Sequence, residues 1–244
     1  MVVMPDADVN KTTDAIIGSA FGSAGERCMA ISVAVCVGKK TAENLKTKLL
    51  EETSKLNVGP YTDEKSDFGP LNNKAHYEKV LGYIDTGEKE GAKLLSDGRN
   101  MKLQGYEKGY FVGPTIFEDV KPDMKIYKEE IFGPVLSMMT TDTYEEALKL
   151  VNDHELGNGA AVFTKSGMIA KHFTENAKIG MIGVNVPIPV PVAYHSFGGW
   201  KRSLFGDHSM HGPEGVRFYS KLKTATVTWS EDDNGPEFTI PVLS

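Results

Sequence analysis

The chain has 244 residues, with 27 Lys and Arg against 33 Asp and Glu, a formal net charge of −6, and 40% apolar residues. A chain of this size can bury roughly 70–75% of its unfolded surface, so its core needs no disulfide or metal staple, and its two cysteines exclude a disulfide framework or a Cys-rich zinc module. Interspersed charges argue against a nucleic-acid groove or a basic membrane face, and no apolar run approaches the ~18–20 residues of a membrane span. The opening MVVMPDADVN reads as neither a signal nor a transit peptide. A soluble chain of a reducing compartment is expected.

Apolar β-branched runs alternate with amphipathic segments along most of the sequence. Residues 11–21 (KTTDAIIGSAF) predict a helix behind an Asp/Asn/Thr-rich start, and residues 31–37 (ISVAVCV) predict a buried strand closed by Gly38. Residues 41–56 put Leu45, Leu49 and Leu56 on one helical stripe that NVGP stops. Residues 71–90 predict a second long helix, with Val80, Leu81 and Ile84 inward. Strands over 110–117 and 131–139, a helix over 144–152, a strand over 160–164, a helix over 169–177 and a strand over 181–186 follow. This rhythm predicts an α/β fold with a mostly parallel sheet covered on both faces.

After Val184 the pattern changes. Pro187, Pro189 and Pro191 cannot continue a central strand and predict an extended wall or loop. Gly198, Gly199 and Gly206 suit close backbone approach. Residues 216–229 (VRFYSKLKTATVTW) predict one long strand with no helix after it, whose exposed edges call for a second chain. The organisation expected is a main domain over 1–202, a return segment and inter-subunit strand over 203–229, and a poorly ordered acidic tail over 230–244.

Three stretches carry candidate chemistry. In FGSAGERCMA, Cys28 lies on a Gly-containing turn beside Arg27 and just ahead of a buried strand. A neighbouring cation favours the nucleophilic thiolate, and a backbone N–H of the same turn can hold a developing oxyanion. The residues alone also allow Cys28 to be a small buried hydrophobe, the reading that suits Cys36 inside ISVAVCV. In EEIFGPV, Glu129 and Glu130 precede an aromatic and a Gly-Pro turn, an arrangement equally consistent with solvated acids. In SFGGW, Phe197 can line a pocket or plug a loop. His208 and His211 have ligand-like spacing, but no Cys or carboxylate cluster completes a site, so no metal is expected. No G-x-G-x-x-G or P-loop is present.

In this order, GERCMA, EEIFGPV, HSFGGW and VRFYSKLKTATVTW resemble the aldehyde dehydrogenase superfamily, as do FGPLNNKAHYEKVLGYIDTGEKEGAKLL and GAAVFTKSG. Within it, GERCMA and VNVPIPVPVAYHSFGGWKRSLFGD are similar to the CoA-acylating methylmalonate/malonate semialdehyde branch, and the likeness runs over residues 1–229. The resemblance implies the catalytic domain of that fold followed by an oligomerisation strand. It implies Cys28 as the nucleophile that forms a thiohemiacetal and then a thioester, with its own N–H in the oxyanion hole. Arg27 would bind the substrate carboxylate, which suits the bidentate geometry of a guanidinium. Glu130 would hold the nicotinamide ribose of NAD, Phe132 would contact the nicotinamide, and Phe197 would wall the substrate pocket.

Members of that family are longer, and this chain corresponds to their C-terminal, catalytic half. The half it lacks is expected to carry the NAD-binding domain and an oxyanion-hole Asn, so the chain alone is expected to be inactive. The implied reaction is NAD-dependent oxidation of methylmalonate or malonate semialdehyde, with decarboxylation, to propionyl-CoA or acetyl-CoA, with coenzyme A as co-substrate. The alternatives are a hydrolytic aldehyde dehydrogenase fragment and a non-catalytic assembly partner of full-length subunits. A homo-oligomer is implied, without nucleic acid or membrane. The location implied is the bacterial cytoplasm, or the mitochondrion in a eukaryote.

Overall fold

Asp8 caps the first helix: its carboxylate accepts from the N–H groups of Asn10 and Lys11 at 3.1 Å. The helix therefore opens at Val9, ahead of the expected start at Lys11. In this computed structural model, which describes residues 1–229, the elements in chain order are β1 (Val2–Val3), α1 (Val9–Ile16), β2 (Val33–Val37), α2 (Lys39–Thr53), α3 (Lys74–Lys89), β3 (Lys93–Ser96), β4 (Thr115–Glu118) and α4 (Lys125–Lys128). They continue with β5 (Val135–Thr141), α5 (Tyr144–Asp153), β6 (Leu156–Gly157), β7 (Gly159–Phe163), α6 (Gly167–Asn176), β8 (Met181–Val184), β9 (Trp200–Lys201) and α7 (Gly212–Phe218).

Seven strands form one sheet in the order β3-β4-β5-β2-β1-β7-β8. Every neighbouring pair is parallel except β3 with β4. A separate antiparallel pair joins β6 and β9. This is the mostly parallel α/β sheet that the alternating pattern predicts. Its centre is buried on both faces, as near-continuous apolar runs require: Ala34, Cys36, Leu136, Ala161 and Val162 are fully enclosed. Leu45 and Leu49 of α2 and Val80 and Ile84 of α3 are buried as expected, whereas Leu56 lies past the end of α2.

Two strands begin later than their apolar runs. Pro114 stands directly before β4 and Pro134 directly before β5, and proline has no N–H to give to a ladder. Phe111 and Val112 are buried in the extended approach instead. Two strands of this sheet were not foreseen, nor was the separate β6–β9 pair. β1 is too short to show a period, yet it lies between β2 and β7 at the centre of the sheet. β3 is an antiparallel edge strand of half-buried residues.

The long strand expected over 216–229 is corrected in its first part, because Val216–Phe218 close helix α7. Pro213 in the first turn and the Arg217–Glu214 ion pair at 2.9 Å supply helix signals that outweigh the β-branched and aromatic content. Residues 219–229 are exposed and pair with no strand among the described residues. The tail expected to be poorly ordered, 230–244, lies outside the described residues.

Parallel strands share a direction, so their starts gather at one end of the sheet. Residues 26–32 lead into β2, 129–134 into β5 and 158 into β7. The first two approaches are held together by glycines. Gly25 has φ +71°, and a Cβ there would stand 2.1 Å from the Gly133 carbonyl oxygen. Gly25→Ala is therefore expected to lower stability by about 2–3 kcal/mol through strain and overlap. An unchanged urea midpoint would contradict this contact.

Candidate active site

Cys28 is placed by an unusual backbone. Ser23, Ala24 and Gly25 take successive positive φ values of 54°, 55° and 71°, which turn the chain sharply out of the first helical segment. A β-turn follows, closed by the Ala30 N–H donating to the Arg27 carbonyl at 3.1 Å, with Cys28 and Met29 at its corners. Cys28 is exposed and Met29 is buried. Among the described residues the Cys28 N–H donates to no acceptor. The turn thus presents a thiol and an unused N–H together, the pair that acyl chemistry requires.

Cys36 is the other kind of cysteine. It is fully buried in β2, and burial pushes its thiol up to about 12. The buried-hydrophobe reading therefore fits Cys36 and not the exposed Cys28.

Arg27 is exposed and folds back beside the turn. Its Nε donates to Ser23 Oγ at 3.2 Å and an Nη to the Gly18 carbonyl at 3.2 Å. A Cβ at Gly22 would come within 3.0 Å of the guanidinium, so that glycine makes room for it. These bonds leave guanidinium N–H groups unused, and Arg27 as a residue borders a recess shared with Cys28, Glu130, Phe132 and Gly133.

The two acids of EEIFGPV are not equivalent. Glu129 accepts from the Tyr83 hydroxyl at 2.6 Å and lies 3.7 Å from Lys125. Burial and this carboxylate push the Tyr83 hydroxyl up to about 12. No partner among the described residues engages the Glu130 carboxylate; only its main-chain oxygen accepts, from Lys79 at 3.2 Å. Phe132 has φ +60°, a strained setting for an aromatic residue that costs of order 1–3 kcal/mol. His76 holds it there. Its Nε2 lies 2.6 Å from the Phe132 carbonyl and 3.3 Å from Glu26 Oε1, and the two rings meet edge-on. His76 thus ties the Phe132 turn to the approach of Cys28, a role that no spacing in the sequence marks.

A larger recess of about 220 Å³ opens on the other side of Cys28, lined by Met29, Tyr127, His154, Asn158, Ile179 and Pro187 among others. The proline wall therefore contributes one residue to it. His154 cannot act as a general base there. Its Nδ1 accepts the Leu156 N–H at 3.1 Å, and its Nε2 lies 3.1 Å from the Tyr127 carbonyl, to which it donates as the neutral tautomer. Phe197 lies in neither recess: its ring stacks on His211 at 4.8 Å. The fold thus brings Cys28, Arg27, Glu130 and Phe132 together and leaves Phe197 apart. His208 pairs with Glu214 at 2.9 Å, so the two histidines of HSMH have separate partners.

An exposed cysteine on a turn thus lies beside a carboxylate and a held aromatic, all at the starts of parallel strands. The sequence pattern of the aldehyde dehydrogenase family matches residues 1–225. The chain belongs to that family. This aldehyde dehydrogenase chain is 51% identical over 244 residues to a malonate-semialdehyde dehydrogenase of Pseudomonas aeruginosa, covering 99% of this chain and 49% of the relative. It is 47% identical over 245 residues to the mitochondrial, acylating methylmalonate-semialdehyde/malonate-semialdehyde dehydrogenase of Bos taurus, covering 99% and 45%. Among solved structures, a Sinorhizobium meliloti protein assigned as a methylmalonate-semialdehyde dehydrogenase and complexed with NAD superposes with a TM-score of 0.91. It is 54% identical, and the match covers 96% of this chain and 48% of that one. The methylmalonate-semialdehyde dehydrogenase of Oceanimonas doudoroffii gives 0.90 at 51% identity, over 95% and 47%. The chain spans about half the length of these relatives. Among the described residues no helix is long and apolar enough to cross a membrane.

The two cysteines should differ sharply in solution. At pH 8, iodoacetamide is expected to alkylate Cys28 more than about a hundredfold faster than Cys36, because rate follows thiolate fraction and access. Cys36 should gain reactivity only as pH climbs toward about 12 or the chain unfolds. Peptide mass mapping of the adducts reads both rates, and comparable rates would remove Cys28 as the reactive thiol.

Proposed function

We propose that this chain supplies the catalytic thiol half of a CoA-acylating dehydrogenase of methylmalonate or malonate semialdehyde. The observation that carries the reading is one recess lined by Cys28, Arg27 and Glu130, the last with a carboxylate that no partner among the described residues engages. The likeness to semialdehyde dehydrogenases adds to it.

The chemistry follows from these groups. The Cys28 thiolate adds to the aldehyde carbon, and the charge that develops on oxygen is met by the Cys28 N–H. Arg27 offers its guanidinium to the substrate carboxylate and keeps a cation beside the thiolate. The donor set around Glu130 and Phe132 fits the nicotinamide end of NAD: Glu130 has free carboxylate oxygens for ribose hydroxyls, and Phe132 stands beside it as an apolar contact. NAD, when bound, supplies the hydride acceptor that oxidation of the thiohemiacetal requires. The resulting Cys28 thioester is then open to attack by the thiol of coenzyme A, which forms the acyl-CoA and returns Cys28. The substrate carboxylate leaves as carbon dioxide, the electron pair of the broken C–C bond passes to the α-carbon beside the thioester carbonyl, and a proton from water completes propionyl-CoA or acetyl-CoA. Phe197, which lines neither recess, has only the family resemblance behind its place as a wall of the substrate path. Residues 219–229, with Leu222 97% and Trp229 89% exposed, are read as the segment that pairs with another subunit.

Arg27 provides the test of substrate class. In an enzyme completed with the family's N-terminal half, Arg27→Leu is expected to impair malonate semialdehyde far more than propanal. A charged hydrogen bond lost to a desolvated carboxylate amounts to about 1.5–3 kcal/mol, or roughly ten- to a hundredfold in kcat/KM. Propanal has no carboxylate to lose. Parallel losses on both aldehydes would assign Arg27 to the thiolate alone and withdraw the semialdehyde acid as substrate.

A further inference from the structure

We propose that Asn158 is a positioning residue for Cys28, setting from the start of β7 the direction in which the Cys28 side chain leaves its turn relative to its N–H. The inference rests on the reading of Cys28 as an acyl-accepting nucleophile. It extends that reading to a residue 130 positions away in the chain.

The Asn158 amide nitrogen has two hydrogens and two acceptors. It donates to the Cys28 carbonyl at 3.2 Å and to the Met29 thioether sulfur at 3.1 Å. Its own backbone is fixed by the sheet. The Asn158 carbonyl accepts from the Met181 N–H at 3.2 Å, and the preceding Gly157 accepts from Gly180 at 3.0 Å while donating to Ser203 Oγ at 3.0 Å. The following residue, Gly159, fits against Met29 so closely that a Cβ would stand 2.1 Å from the Met29 methyl carbon. An amide held on both sides by strand pairing therefore grips the nucleophile turn.

The consequence lies in the two peptide planes that flank the Cys28 Cα. The plane before it contains the Arg27 carbonyl and the Cys28 N–H, and Ala30 pins it by donating to that carbonyl at 3.1 Å. Because a trans peptide sets C=O and N–H in opposite directions, this leaves the Cys28 N–H pointing out of the turn. The plane after it contains the Cys28 carbonyl, and Asn158 pins that one. With both planes fixed, φ and ψ of Cys28 are fixed, and so is the direction in which its Cα–Cβ bond leaves the turn relative to its N–H. Acyl transfer needs the thiol and the N–H at one carbonyl at once, and small misplacements there are costly. Simple alkylation needs only the thiolate.

The comparison of these two reactions on the full 244-residue chain tests the proposal. With p-nitrophenyl acetate, the Cys28 thiolate forms an S–C bond to the ester carbonyl carbon. The C–O bond breaks, and p-nitrophenolate leaves with the electron pair. With iodoacetamide, the thiolate displaces iodide at a saturated carbon, with no oxyanion to hold. Asn158→Leu removes the donor, and Asn158→Asp keeps the shape while replacing the donor with an acceptor. In each variant the acylation rate of Cys28 is expected to fall about tenfold relative to wild type, while alkylation at the same pH falls far less. Because both reactions consume the same thiolate, a shifted thiol pKa cancels in their ratio. Cys36 alkylation reports unfolding, so whichever variant keeps Cys36 protected carries the test. A ratio equal to that of wild type in such a variant overturns the proposal. A wild-type chain whose Cys28 is alkylated but never acylated overturns the role given to Asn158, and one whose Cys28 is alkylated no faster than Cys36 overturns the nucleophile reading itself.

Discussion

The site depends on one close approach of backbone to backbone. Gly25 lies against the carbonyl of Gly133, with no space for a Cβ, and a Cβ on Gly133 would in turn stand 2.7 Å from the Val80 side chain. Two chain segments far apart in sequence are thereby brought together just outside the sheet. From that contact, β2 and β5 enter side by side, paired from Val33 with Ser137 to Val37 with Thr141. The parallel ladder then keeps their approaches, and so Cys28 and Glu130, at a common end.

Around that contact the polar groups divide into engaged and available ones, and the division assigns their roles. Glu129, His154 and Lys201 are engaged. Glu129 is taken by Tyr83, and His154 uses both ring nitrogens on main-chain groups. Lys201 gives its ammonium to the carbonyls of Val151, Asn152 and His154 at the end of α5, at 3.1, 2.9 and 2.9 Å. Such groups build the frame. The Cys28 N–H and the Glu130 carboxylate remain without partners among the described residues, and both residues line the same recess. Unspent hydrogen-bonding capacity of this kind is what a reactive centre requires and a scaffold does not.

The frame is also layered. The turn at Phe132 is strained and is held by His76, which also reaches Glu26 beside the Cys28 turn. The Cys28 turn itself is held on its other side by Asn158. β6 and β9 pair below it, and the Gly157 N–H donates to Ser203 Oγ, which links this corner to the segment following the proline wall. Strain near the thiol is thus supported from α3, from β7 and from the late part of the chain.

The sequence by itself determined the periodic parts and the order of the motifs. The αβ alternation, the burial of Leu45, Leu49, Val80 and Ile84, and the turn character around Cys28 were legible because they depend on local period and on glycine. The resemblance supplied the family and singled out Glu130 from Glu129, which spacing left equivalent. The tertiary structure decided what depends on distant partners. β1 became central despite having only two residues, since its stability comes from β2 and β7 rather than from its own pattern. Val216–Phe218 became helical because an N-terminal proline and an ion pair outweighed their β-branched and aromatic character. His76 and Asn158 acquired their roles only when folding put them against Phe132 and Cys28. A hydrogen bond across 56 or 130 residues leaves no period, spacing or composition to read in the chain, because it exists only once the sheet has fixed both ends.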